Sequence, residues 1–135
     1  MVRRLETLEG VAGVELGLPL EIDRSALSEL VKSAQGELPV IVRLPLDQAQ
    51  GLAAEAMQAG AAAVSLGAPR GSLLDDEKRR VDGRLYGPGL FPQALHLVRE
   101  IASQGIPLIG SGGVNESWQA QAMLEAGAFA VQLDL

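Results

Sequence analysis

Ile106-Pro-Leu-Ile-Gly-Ser-Gly-Gly-Val114 is the stretch whose reading decides the fold. An apolar run closes on Gly110, Gly112 and Gly113, and Asn115 then opens a helical pattern. This reads as a short buried strand feeding a glycine loop and a helix N-terminus. Backbone N–H groups at such a terminus point outward, and the positive end of the helix dipole adds to them, so the loop is a ready phosphate site. The same glycines suit a tight strand-to-helix turn that holds no ligand, and at this point both readings stand.

Working outward, residues 13–18 read as a short strand. Asp23 or Ser25 can cap a helix over 25–35 that carries Ala26, Leu27, Leu30, Val31 and Ala34 on one face, and Gly36 stops it. Leu38-Pro-Val-Ile-Val-Arg-Leu44 is rich in β-branched residues and bounded by prolines, which predicts a buried strand. Asp47 is placed to cap a helix over 48–59, ended by Gly60, and 61–66 is the third strand. A long connection over 67–91 holds charges and turn residues. Phe91-Pro92 starts a helix with proline in its first turn, running to about 104. A strand over 106–110, a helix over 116–126 and a strand over 128–134 complete the chain. Strand and helix alternate, so the expected fold is α/β with a parallel sheet and helical crossovers. The strands are continuously apolar, as strands covered on both faces are.

The chain also repeats itself. Ala59-Gly-Ala-Ala-Ala-Val-Ser-Leu66 matches Ala126-Gly-Ala-Phe-Ala-Val-Gln-Leu133, 67 residues on, and Leu38-Pro-Val-Ile matches Ile106-Pro-Leu-Ile, 68 residues on. Two βα units per period suit a (β/α) barrel or part of one. An eight-stranded barrel needs about 250 residues. Residues 1–135 therefore read as a single domain, a partial (β/α) TIM barrel of five parallel strands and four helices. It is half-barrel-like, and sequence order makes its strands numbers four to eight.

Composition narrows the function. A net charge of −6 offers no basic nucleic-acid face. No apolar stretch reaches the roughly 18 residues of a membrane span, and the N-terminal residues carry acids instead of a signal-peptide core. There is no cysteine, hence no disulfide, thiolate metal site or cysteine nucleophile. A cytoplasmic protein is the expectation, with no metal site.

Four segments carry a family resemblance: Val14-Glu-Leu16, Leu38-Pro-Val-Ile-Val-Arg-Leu-Pro45, Arg70-Gly71 with Gly83-Arg-Leu-Tyr-Gly-Pro88, Pro92 and Ala94-Leu95, and Ile106–Val114 with Ala126-Gly-Ala128 and Ala130-Val-Gln132. In this order and spacing they resemble the C-terminal half of dihydroorotate dehydrogenase, an FMN-dependent barrel enzyme of pyrimidine synthesis. The resemblance implies an oxidoreductase fold that holds FMN. Gly112 and Gly113 match the loop that binds the flavin phosphate, with Ser111 beside them, and Gly83 and Gly87 match glycines flanking the flavin. Arg43 stands where the family has a lysine beside the flavin ring, where a cation stabilises charge on the reduced flavin. Arg43 can equally be a strand-end arginine paired with an acid. The family's two substrate-holding asparagines fall on Gly17 and Gly67, and its second phosphate contact, a Gly-Thr pair, falls on Asp134 and Leu135. No counterpart of its catalytic base is found. The isolated chain is accordingly expected to bind a phosphate-bearing ligand without turning over substrate.

Among other candidates, Glu15 can be a buried acid at the expected barrel mouth, and Arg70 can meet a ligand anion or form a loop salt bridge. His96 reads as a surface or helix-packing residue. The run Asp75-Asp-Glu-Lys-Arg-Arg80 reads as a solvated loop or as a lid over the barrel mouth. Tyr86 can line a pocket and Trp118 can meet a partner. Two readings compete with the flavoprotein: a non-redox half-barrel for a phosphorylated small molecule, and an inactive structural fragment. An incomplete barrel exposes two strand edges and an apolar interior, which predicts a homo-oligomer joined through those edges.

Overall fold

The computed structural model describes residues 2–133. A short turn of 3-10 helix leads into β1 (Val14–Gly17), α1 (Arg24–Ala34), β2 (Val40–Pro45), α2 (Ala49–Gln58) and β3 (Ala63–Gly67). Then come β4 (Arg70–Leu74), β5 (Arg80–Arg84), α3 (Phe91–Ala102), β6 (Leu108–Gly110), α4 (Ser117–Glu125) and β7 (Ala130–Val131). Five strands form one sheet in the order β1-β2-β3-β6-β7, and every neighbouring pair is parallel. The four helices are its crossovers. This is the partial α/β barrel that the alternation of elements predicts.

The two faces of the sheet differ sharply. Register places Leu16, Val42, Val64 and Leu108 in one row across β1, β2, β3 and β6. The last three are fully buried and share one core with Leu27 and Val31 of α1, Ala53 and Ala56 of α2, and Val98 and Ile101 of α3. The adjacent row on the other face runs Gly17, Arg43, Ser65, Ile109 and Ala130. It holds one large apolar side chain. The preceding row on that face is Glu15, Ile41 and Ala63, so the inner face is less apolar than expected of an unfinished barrel: small and polar residues share it with two isoleucines.

Helix starts follow local chemistry. Asp23, not Ser25, caps α1 by accepting the Ala26 N–H at 2.8 Å. The sequence repeat is also a structural repeat. Gly60 (φ +108°) and Gly127 (φ +114°) each follow the C-cap residue of a helix, Ala59 and Ala126. Ala61 and Ala128 donate back to Ala56 and Met123, while Gly60 and Gly127 donate to Met57 and Leu124. That is the Schellman pattern twice. The next amides, of Ala62 and Phe129, bond Val40 and Leu108 and so start the following strands.

Three expectations need correction. Asp47 does not cap α2; the N-cap is Gln48, without a side-chain bond. The Asp47 carboxylate instead accepts the Arg70 backbone N–H at 3.0 Å and pairs with its Nε at 2.6 Å. The connection over 67–91 is not loop throughout, because β4 and β5 form an antiparallel hairpin. Its acidic–basic run makes the hairpin turn, with the Asp75 carboxylate accepting the N–H groups of Glu77 and Arg79, each at 2.9 Å. The last strand is two residues long, shorter than 128–134, and position 134 lies outside the described residues.

Two outcomes test these arrangements. Gly127→Ala lowers the urea midpoint more than Gly60→Ala, both at a cost of about 1–3 kcal/mol for the backbone conformation. The added Cβ at 127 meets the fixed Ala102 Cβ at 2.6 Å, whereas at 60 it meets the movable Gln35 amide at 3.0 Å. Burial raises the Asp47 pKa, but the Arg70 guanidinium and N–H outweigh it, so the group sits below its ordinary 3.8. Its contribution is therefore complete above that value and is lost as pH falls through the lowered one. Asp47→Asn should remove that part of the acid dependence of melting, and an unchanged acid profile would refute the role.

Candidate functional site

The C-terminal ends of β2, β3, β6 and β7 open into a cleft of about 620 Å³. Active sites of (β/α) barrels lie at this end of the strands. Arg43 reaches the cleft from β2, Ala68 lies just past β3, and Gly112 to Asn115 form its wall past β6. Tyr86, Gly87 and Pro88 close it from the segment that enters α3, and Leu133 lies past β7. Four of the sequence-nominated residues, Arg43, Gly87, Gly112 and Gly113, therefore share one cavity. Ser111 is fully buried and does not line it. Gly83 lies on β5 and lines a separate depression with Asp47, Arg70 and Asp82. Positions 134 and 135, where the Gly-Thr pair would fall, lie outside the described residues.

The glycine loop has both a packing role and spare donors. Gly112 and Gly113 have φ of +113° and +70°. A Cβ on Gly113 would meet Phe91 N at 2.6 Å and Pro88 O at 2.9 Å, so the loop rests directly on backbone of the turn entering α3. The first turn of α4 caps itself. The Glu116 carboxylate takes the N3 backbone N–H, and Gln119 Oε1 accepts the Asn115 and Glu116 N–H groups at 2.8 and 3.0 Å. The anion site expected at the helix terminus itself is consequently filled by the protein's own side chains. The N–H groups of Gly112, Gly113 and Val114 have no acceptor among the described residues. These three residues line the cleft, so the donors left over lie at its wall and not at the capped helix amides.

Arg43 is the strand-end arginine paired with an acid, and it also lines the cleft. Its guanidinium stands 3.8 Å from the Glu15 carboxylate, and Ser65 Oγ donates to the same carboxylate at 2.5 Å. Glu15 is one-third exposed, so it is a partner at the mouth and not a buried acid. The Arg43 stem lies across Gly67: a Cβ there would meet its Cγ at 3.0 Å and its Nε at 3.1 Å. Beyond Arg43, Ala68 and Tyr86 lies a smaller chamber of about 220 Å³, lined also by Gly17, Leu18, Pro45, Gly67 and Arg84. Sequence reasoning missed Arg84. Its signal was an arginine flanked by glycine inside a polar strand, which reads as surface. In the fold it donates to Leu18 O at 2.9 Å and Ala68 O at 3.1 Å.

The remaining candidates fall outside the cleft. Arg70 is the loop salt bridge described above. His96 is exposed on α3. Trp118 is exposed, stacks edge-on against Phe91 at 5.4 Å between ring centroids, and donates to Glu116 at 2.9 Å. The glycines can be told apart by mutation. Gly83→Ala adds a Cβ with nothing within 4 Å and should stay within about 0.5 kcal/mol of the parent. Gly113→Ala drives a Cβ into backbone and should cost about 2 kcal/mol or more, read from thermal midpoints.

No family model matches the chain. The catalytic subunit of dihydroorotate dehydrogenase B (NAD(+)) from Citrifermentans bemidjiense is 34% identical, over 96% of this chain and 50% of that relative. Dihydroorotate dehydrogenase A (fumarate) from Lacticaseibacillus paracasei is 34% identical, over 88% of this chain and 43% of its own length. Among solved structures, DHODH from Eimeria tenella in complex with ferulenol superposes with a TM-score of 0.63 at 16% identity, over 82% of this chain and 38% of that one. At that identity the likeness is one of fold. The chain spans about half the length of the curated relatives it matches. Nearly all residues of this chain align with dihydroorotate dehydrogenases, and the chain is similar to them over about half of their length.

Proposed function

We propose that this chain corresponds to strands four to eight of the dihydroorotate dehydrogenase barrel and binds FMN through its phosphate. The observation that carries this is the cleft that gathers Arg43, Gly87, Gly112 and Gly113 beside three backbone N–H groups lacking acceptors. Its volume of about 620 Å³ is in the range of cofactor sites. The N–H groups of Gly112, Gly113 and Val114 would hold the phosphate, and Arg43 would stand beside the ring. FMN, when bound, supplies the two-electron acceptor of an oxidoreductase. Glu15 and Ser65 hold the Arg43 side chain against the floor at Gly67, fixing its charge at the mouth. With glycine at 17 and 67, this half presents none of the side-chain amides the family resemblance assigns to substrate, so it binds cofactor without turning over dihydroorotate. The unpaired outer edges of β1 and β7 belong to the same reading, as the surfaces through which copies associate.

Sedimentation velocity with added FMN, followed at the flavin band of about 450 nm, reads both parts. The expected result is flavin absorbance moving with the protein at a mass above one chain, weakened by Arg43→Ala. Protein that sediments without colour overturns the cofactor reading, and a single-chain mass overturns the association. Phosphate-sensitive binding of a phosphorylated sugar in place of FMN would favour a non-redox half-barrel.

A further inference from the structure

The β4–β5 hairpin is held to the body of the molecule by polar bonds. Among the described residues, none between 69 and 89 belongs to the apolar core or packs against it. Leu73, Leu74 and Val81 are 72%, 65% and 53% exposed. The attachment runs through two arginines at the root of the hairpin. Arg70 gives its backbone N–H and its Nε to the Asp47 carboxylate, just past β2, and a further N–H to Leu20 O at 3.4 Å. Arg84 donates to Leu18 O at 2.9 Å, just past β1, and to Ala68 O at 3.1 Å, where the chain enters the hairpin. Arg70 and Arg84 are direct partners in the ladder between β4 and β5. Like charges set opposite each other weaken a ribbon, and a two-stranded ribbon is marginal by itself in water. Acceptors on the body of the fold offset both effects only while the hairpin is docked. The chain leaving the hairpin reaches Gly87 at φ +137°, with nothing within 4 Å of where a Cβ would stand. The carbonyls of Gly87 and Pro88 then lie against Gly113. Gly87 thus separates a fixed turn from a segment that can swing. Tyr86, 66% exposed, stands on the swinging side and lines the large cleft.

We propose that the hairpin is an arm that swings on Gly87 as a unit while the core stays folded, that Asp47 is the catch holding it shut, and that its opening withdraws the Tyr86 wall of the cleft. Opening breaks charge-assisted hydrogen bonds at the root and exposes no part of the apolar core. It therefore takes less free energy than unfolding the sheet, as openings beside ligand sites do. A few residues at the root absorb the change in backbone angles, as in hinge motions generally. Passage through that side of the cleft is set by the catch and not by the stability of the sheet. The arm is a matter of the chain's own packing and is independent of the flavin reading.

The test uses the full chain, which has no cysteine, so one installed thiol reports without background. Ala68 is 5% exposed, lies at the root of the arm and lines the cleft. In the Ala68→Cys protein, thiol labelling with dithiobis(nitrobenzoate) reads opening of the arm, and native-state hydrogen exchange by NMR reads the hairpin and the core side by side. Hairpin amides should exchange faster than those of Val42 and Val64 in the buried row of the sheet. Adding Asp47→Ala should speed labelling by about tenfold or more, the effect of losing a hydrogen bond between charged groups. Arg70→Gln, which removes the other half of the catch, should do the same. In both, hairpin exchange should accelerate more than exchange at Val42 and Val64, which separates an opened arm from a loosened fold. Arg79→Ala, which removes the ion pairs at the tip, should leave labelling within about twofold of the parent. One common exchange rate for hairpin and core, labelling unmoved by both catch variants, or equal acceleration by Arg79→Ala each overturns the proposal. No flavin enters these measurements, so a failure of FMN binding counts only against the flavin reading.

Discussion

Every feature of this molecule depends on the one-sided covering of a parallel sheet. Parallel neighbours cannot be joined by tight hairpins, so each crossover carries a helix. All four helices lie against the row that contains Val42, Val64 and Leu108. The opposite row is thereby released from core packing. A barrel interior is ordinarily filled with bulky branched residues. Here one row carries Gly17, Arg43, Ser65 and Ala130 beside Ile109, and the row before it carries Glu15, Ile41 and Ala63. Helix packing holds the fold, which leaves the inner face free to carry an ion pair and two connected cavities.

Much of this was legible because the relevant signals are local. The Gly60 and Gly127 turns announce themselves through an apolar repeat with glycine at a fixed place, and the same backbone bonds follow in both copies. The β-branched run of β2 and the alternation of strands with helices fixed the sheet as parallel. The hairpin was not legible. Arg70-Gly-Ser-Leu-Leu74 and Arg80-Val-Asp-Gly-Arg84 lack the apolar alternation of a half-buried strand, and they are held instead by cross-strand polar bonds such as Ser72 to Asp82 and by the Asp47–Arg70 tether. Such bonds join residues far apart in sequence, which no local pattern records. Asp47 looked like a helix cap for the same reason: the competing partner, Arg70, is visible only in three dimensions.

The site was half legible. Glycines before a helix marked the loop, yet their spacing could not reveal that Gln119 takes the amides of Asn115 and Glu116. Helix capping and anion binding draw on the same orphan N–H groups, so a capping box withdraws donors from a would-be ligand. What is left over, at Gly112 to Val114, lies one step earlier in the chain than the helix-dipole argument placed it. Gly113 is required by its contact with Phe91 and Pro88 backbone whether or not an anion is bound.

Arg43 and Gly67 pack as a pair. In this chain the Arg43 stem fills the space directly above the Gly67 backbone, at 3.0 to 3.5 Å from any Cβ that could be built there. A side chain at 67 would press on the Arg43 stem, which would have to give by a few tenths of an ångström. Gly67 and Gly17 both line the smaller chamber, together with Arg84. Arg43 and Tyr86 line both cavities, so a group that displaces either side chain in one alters the wall of the other. The two spaces thus share a wall made by those two side chains.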